Sequence, residues 1–195
     1  MKSSKLLLAS LLYCLVLLLF NCAKDDPILD SGNNTQQGSN NNNGNTNPDP
    51  DPNSDNALLY LKNTDNYSIF YSAIVRADLE NELNIAGPIT VFAPNNVAFT
   101  AFMENNGWSS VNDISPGVLK TIISFHISNI DEFMSSDLTH GKKIQILYQD
   151  RDIQVNLDGQ DHPQLIAGLT KAFVIDMDYE VENGVVHEID GVLSL

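Results

Sequence analysis

The chain has 195 residues, 43% hydrophobic and 18% charged, which leaves room for one globular domain plus additional segments. Its formal net charge of −15 argues against a nucleic-acid partner, whose phosphates the whole surface would repel, and equally against electrostatic docking on anionic lipid.

The first residues, MKSSKLLLASLLYCLVLLLFNC, place Lys2 and Lys5 ahead of a charge-free apolar run from Leu6 to Phe20. About 15 residues is short for a membrane span and fits the apolar part of an export signal. Cys14 would leave with that signal, so Cys22 is the cysteine that remains and no intramolecular disulfide is expected. A cysteine directly after such a run, here in Leu19-Phe20-Asn21-Cys22, resembles the lipobox of bacterial lipoproteins, where it is acylated and becomes the new N-terminus. The following Ala23-Lys24-Asp25-Asp26 resembles the surface-export tag of some Gram-negative lipoproteins. Residues 1–21 are read as a lipoprotein signal and Cys22 as a lipid anchor to the outer membrane, with plain secretion as the alternative. Acyl chains need no basic patch, so such an anchor is compatible with an acidic surface.

Residues 22–56 then change to Asn, Gly, Ser, Gln, Pro and Asp, and the portion NNTQQGSNNNNGNTNPDPDPNSDN contains no large apolar residue. Such a segment buries too little surface to offset its ordering entropy and reads as a disordered tether. As a random coil it averages on the order of 30 Å, and stretched it reaches on the order of 100 Å.

Residues 57–195 carry the pattern of a folded domain. In YSIFYSAIVRADLENELN, residues Ile69, Phe70, Ala73, Ile74, Ala77 and Leu83 recur near helical spacing, which predicts one amphipathic helix running toward Gly87-Pro88. ITVFA is a buried-type strand stopped by Pro94, and Asn95 or Asn96 is positioned to cap the next helix, whose Ala98, Phe99, Phe102 and Met103 share a face. Ser115-Pro116 supplies a cap and a first-turn proline for GVLKTIISFHI. The period then becomes two. Ile144, Ile146, Tyr148 and Ile153, Val155, Leu157 form a hairpin with a four-residue connection, Gln149 to Asp152, ended by Asp158-Gly159. AFVIDMDYEVENG places Phe173, Ile175, Met177, Tyr179 and Val181 on one face and Asp176, Asp178, Glu180 and Glu182 on the other. Asn183-Gly184 turns the chain into a last strand. Helices first and strands last, with one strand between, give an α+β class.

Two stretches stand together here, TVFAPNNVAF (Thr90, Phe92, Ala93, Pro94, Asn96, Phe99) and NGVVHEIDGVL (Asn183, Gly184, His187, Asp190), about ninety residues apart. They resemble the two sequence blocks of the fasciclin (FAS1) domain family, and Phe125-His126 between them matches the family's aromatic–histidine pair. The resemblance covers nearly all of 57–195. It implies helices packed on a β-wedge of two small sheets, structural roles for those block residues, and a surface-anchored or secreted protein linked to adhesion. It implies no shared enzymatic activity and no cofactor, and leaves a protein or polysaccharide partner undefined.

Several chemistries are weighed beside this. HEIDG invites a zinc hydrolase, but the fourth position after His187 is Gly191 and the surroundings favour strand over helix. His187 reads instead as a buried ring satisfying backbone groups, Glu188 as a solvated neighbour, and Asp190 as a turn residue accepting backbone N–H bonds. The row Asp176, Asp178, Glu180, Glu182 would space carboxylates about 7 Å apart, too straight to converge on a cation, and reads as a solvated face, with weak cation binding as the alternative. Ser124 and His126 are two apart on a helix and lack a nucleophile elbow. Phe125 and His126 are the candidate interaction pair, against a helix end docking into the core. Asn33-Asn34-Thr35 and Asn66-Tyr67-Ser68 fit the glycosylation sequon. The leading function is a surface-anchored adhesion module. The alternatives are a surface hydrolase using His187 or His126 with nearby carboxylates and a structural subunit of an envelope assembly. Metabolic labelling with an alkyne fatty acid should tag the wild-type chain and leave Cys22→Ser unlabelled; label persisting in the variant would contradict the anchor.

Overall fold

The computed structural model describes residues 55–149, 151–157 and 162–194. The signal, Cys22, most of the tether and the Asp158-Gly159 turn lie outside the described residues.

The domain begins with a helix the periodicity did not single out, α1 (Ala57–Asn63), capped by the Asn56 side chain, which accepts from Leu59 N at 3.0 Å. The predicted long helix is divided. After a 3-10 turn at Asp65–Tyr67, α2 (Ser68–Arg76) ends where Asp78 takes a left-handed φ of 56°, and α3 (Glu80–Leu83) follows. Asp78 N donates to Val75 O at 3.1 Å and Leu79 N to Ile74 O at 3.2 Å, the paired bonds of a Schellman stop. The stop turns Leu79 inward, where it and Ile74 are both buried in one core. A continued helix would carry Leu79 elsewhere.

β1 (Ile89–Pro94) is buried along its whole length and leads through Asn95 into α4 (Asn96–Asn105). Asn95 Oδ1 accepts from Ala98 N at 2.8 Å and is the cap of α4. Asn96 caps a different helix: its Oδ1 accepts from Ile69 N of α2 at 3.0 Å, and its amide donates to Asp65 O and Ser68 Oγ. α5 (Pro116–Ser124) starts at the Ser115 cap with proline in the first turn.

The strands that follow are β2 (Ile127–Ser128), β3 (Lys143–Gln145), β4 (Asp152–Asn156), β5 (Gln164–Ala167), β6 (Thr170–Val181) and β7 (Gly184–Ile189). Their spatial order is β2-β1-β7-β6-β5-β4-β3, with β1 and β7 parallel and every other pair antiparallel. The twelve-residue β6 belongs to both halves of the wedge, pairing with β5 through Thr170–Phe173 and with β7 from Val174 onward. Leu147 N donates to Ile127 O at 2.8 Å, which draws the chain after β3 against β2 and nearly closes the sheet. That diversion shortens the hairpin strands. β3 stops at Gln145, paired with Asp152, so the connection is longer than the four residues expected.

The faces of β6 also differ from expectation. Ala172 and Val174 point inward while Ile175 is 38% exposed, the reverse of the predicted alternation. The register against β7 slips between Val174 and Asp176 and again between Asp176 and Tyr179, and Asp178 in the second irregularity has a φ of 65°. Each bulge inserts a residue and inverts the side-chain parity. The carboxylates therefore do not form a straight row.

Two cores result. Val91 and Ala93 of β1 face one, with the helices, while Phe92 faces the other, inside the wedge with Ile153, Val174 and Ile189. At the start of β7, a Cβ on Gly184 would lie 1.9 Å from Ile89 O, so only glycine admits the neighbouring strand. Next to it, buried Asn183 accepts from Ala57 N at 2.9 Å and donates to Leu83 O and Ile85 O, tying α1 and α3 to the turn. Gly184→Ala should therefore abolish folding or cost several kcal/mol, about the scale of severe core lesions. Gly117→Ala, in the first turn of α5 with nothing within 4 Å of a new Cβ, should be neutral or stabilising. Urea denaturation of the two variants checks this, and equal stabilities would contradict the close-approach argument.

Candidate functional site

The polar residues of the two sequence blocks meet along the β1–β7 pair, where Phe92 lies opposite His187 and Ala93 opposite Glu188. Glu188 is not the freely solvated carboxylate expected of its position. One oxygen accepts from Asn66 Nδ2 and from the Tyr67 hydroxyl, both at 3.1 Å, and the other from Asn95 Nδ2 at 2.8 Å. The turn ahead of α2, the cap of α4 and β7 thus share one acceptor. Burial, then the neighbouring Glu188 charge, pushes the Tyr67 hydroxyl far above the ordinary tyrosine range, so it stays a donor.

His187 is fully buried, with its ring stacked on Phe92 at 5.5 Å between centroids. Its Nδ1 accepts from Asp178 N at 3.1 Å, so Nε2 carries the proton and donates to Phe133 O at 2.7 Å. Asp178 is fixed in turn by Ser135, whose N–H at 2.7 Å and hydroxyl both donate to its carboxylate. The ring therefore joins β7, the bulge of β6 and the loop carrying Phe133. Thr90 holds that loop from β1, donating to Asp131 O at 2.9 Å and accepting from Phe133 N at 2.8 Å.

His126 is equally buried and uses the other tautomer. Nε2 accepts from Leu193 N at 3.0 Å, and Nδ1–H donates to Ile122 O at 2.9 Å, so this ring ties the end of α5 to the C-terminal segment. Phe125, 2% exposed, stacks on Tyr148 at 4.9 Å. Of the two roles expected for the Phe125-His126 pair, this burial is that of a helix end docked into the core.

The remaining candidates are separately engaged. Ser124 Oγ donates to Lys120 O at 2.7 Å, and Asp190 Oδ1 accepts from Phe173 N across the sheet at 2.7 Å. Asp176 accepts from the Tyr179 hydroxyl, and His140 Nδ1 accepts from Leu157 N at 3.3 Å. Among the described residues, no group of three or more His, Cys, Asp or Glu side chains could hold a metal ion. Glu188 is the residue that local pattern missed, because its donors lie more than ninety residues earlier in the chain.

A small α+β scaffold, closed by a parallel pairing of its first and last strands and cross-tied by buried histidines, is the class this architecture defines. The Fasciclin domain profile matches residues 65–195, and the chain belongs to that family. Protein sll1483 of Synechocystis sp. is 28% identical over 135 residues, covering 66% of this chain and 67% of that protein. Transforming growth factor-beta-induced protein ig-h3 of Sus scrofa is 28% identical over 116 residues, covering 60% of this chain. The fold is similar to that of a FAS1 domain pair from the insect cell adhesion molecule fasciclin I, with a TM-score of 0.59 and 20% identity over 71% of this chain. The matches span 16% of ig-h3 and 50% of the insect chain.

Burial brings His126 down to about 4 and lowers His187 in the same direction. A histidine whose folded value lies below its unfolded value of 6.5 stabilises the fold fully above pH 6.5, and that contribution is lost as pH falls from there toward 4. His126 alone accounts for on the order of 3 kcal/mol. Urea denaturation from about pH 7 to about pH 4 should show this loss, and His126→Asn should flatten the slope. A wild-type stability constant over that window would contradict the buried neutral rings.

Proposed function

We propose that the protein is a non-enzymatic binding module of the cell envelope: a fasciclin domain on the 22–56 tether, anchored through lipid at Cys22, that recognises a protein or polysaccharide partner. The observation that carries this reading is that His126 and His187 are both buried with both ring nitrogens hydrogen-bonded. Neither has a lone pair to activate a nucleophile. Membership of the fasciclin family supports an adhesion-type role, as does the likeness in fold to part of an insect cell adhesion molecule. No helix among the described residues is long and apolar enough to cross a membrane. The hydrolase alternative would need His187 or His126 to leave its hydrogen bonds and its core.

Cells displaying the full chain should adhere to polysaccharide- or protein-coated surfaces more strongly than cells without it. The purified chain should leave chromogenic ester, peptide and glycoside substrates intact. Hydrolysis that disappears in His187→Ala or His126→Ala, in cells that gain no adhesion, would overturn the proposal.

A further inference from the structure

The surface around α4 contrasts with the saturated β1–β7 seam. Three open surface cavities, of about 470, 460 and 370 Å³, adjoin one another there. The first and second share Met103 and Ser109, and the first and third share Thr100 and Glu104. Together they form a trench along α4, with the start of α2 beside the second cavity and Trp108, the chain's one tryptophan, beside the first, which lies between the other two. Each cavity alone is within the volume range that holds a small ligand.

The lining is chemically consistent. Trp108 is half-buried, its ring backed by Phe102 at 5.9 Å, and it borders the first cavity. Met103 forms the apolar floor. Among the described residues, the side chains of Thr100, Glu104, Trp108, Ser109 and Asn112 make no hydrogen bond within the protein, so donors and acceptors flank the aromatic ring unused. Among the described residues, no lysine or arginine lines any of the three cavities, and Glu104 is the one charged residue that does.

We infer that this trench is a binding site for a segment of a neutral polysaccharide. The inference deepens the adhesion reading and rests on it. A sugar ring offers an apolar C–H face to stack on an indole and a rim of hydroxyls that both donate and accept, which matches an indole flanked by hydroxyl, carboxylate and amide groups. An anionic glycan meets Glu104 on an acidic chain, and the Arg76 guanidinium beside the second cavity is already engaged with Asn112 O and Ile114 O, both at 3.0 Å. A peptide adding as a strand needs an unpaired sheet edge, and the trench is walled by helices and turns.

Because Trp108 is the only tryptophan, its emission reports this site alone. The full chain is titrated with cellohexaose, xylohexaose, laminarihexaose and maltohexaose, with polygalacturonate oligomers and a neutral hexapeptide as comparisons. At least one neutral oligosaccharide should change the Trp108 emission saturably. Calorimetry on Trp108→Ala, and on Thr100→Tyr, which fills the trench from a half-buried position on α4, should show affinity reduced at least about tenfold. Both variants should melt within a few degrees of the wild type, and Thr100→Tyr keeps the test valid if Trp108→Ala unfolds. Binding of the anionic oligomer or the peptide instead, binding unchanged in Thr100→Tyr, or no emission change with any neutral sugar would overturn the inference. If displayed cells still adhere while the emission stays unchanged, the trench assignment fails and the adhesion reading stands; if neither is seen, both fail.

Discussion

The parallel pairing of β1 with β7 is the constraint on which the rest of the structure depends. Six residues of each strand lie in register, from Ile89 opposite Gly184 to Pro94 opposite Ile189. A parallel pair cannot be made by a tight turn, and here the connection is about ninety residues that contain every other strand and two of the helices. Closing a loop of that length costs on the order of 4 kcal/mol of chain entropy. The offset comes from burying both strands on both faces, Val91 and Val186 toward the helical core and Phe92 and Ile189 toward the wedge. The two sequence blocks are thus one structural unit. At one end of the pair Asn183 and Gly184 allow close approach, at the other Asn95 and Glu188 bind side chain to side chain, and between them Phe92 stacks on His187.

The buried histidines extend that unit to the segments that have no strand partner. His187 holds the β6 bulge and the Phe133 loop, and His126 holds the C-terminal segment against α5. A neutral imidazole suits this work because it donates from one nitrogen and accepts at the other, so two backbone groups are satisfied by one side chain without burying a charge. The opposite tautomers follow from what each ring meets. Along α4, by contrast, Trp108 lies beside Thr100, Glu104 and Ser109, whose side chains make no hydrogen bond among the described residues.

Much of this was legible because it is local. The caps of α4 and α5 need only a side chain within three residues of the N–H it serves, and ITVFA carries its burial in its β-branched composition. The features that departed from pattern depend on distant partners. Periodicity ran through Asp78 because a Schellman stop with aspartate in the left-handed position has no strong local signal; the burial of Leu79 beside Ile74 decides it. The faces of β6 inverted because its bulges form only against β7. Glu188 read as solvated because its three donors come from residues 66, 67 and 95. Phe125-His126 was recognisable as a pair, but its burial is set by Tyr148, Phe70 and the C-terminal segment packing over it.

The most direct test of the account is a nitrogen-detected NMR titration of the two imidazoles in the folded chain. Two neutral rings of opposite tautomer are predicted, Nδ1–H for His126 and Nε2–H for His187, His126 protonating only at about 4 and His187 below the ordinary histidine value of 6.5. Rings that take up protons near 6.5, or that exchange between tautomers, would contradict it.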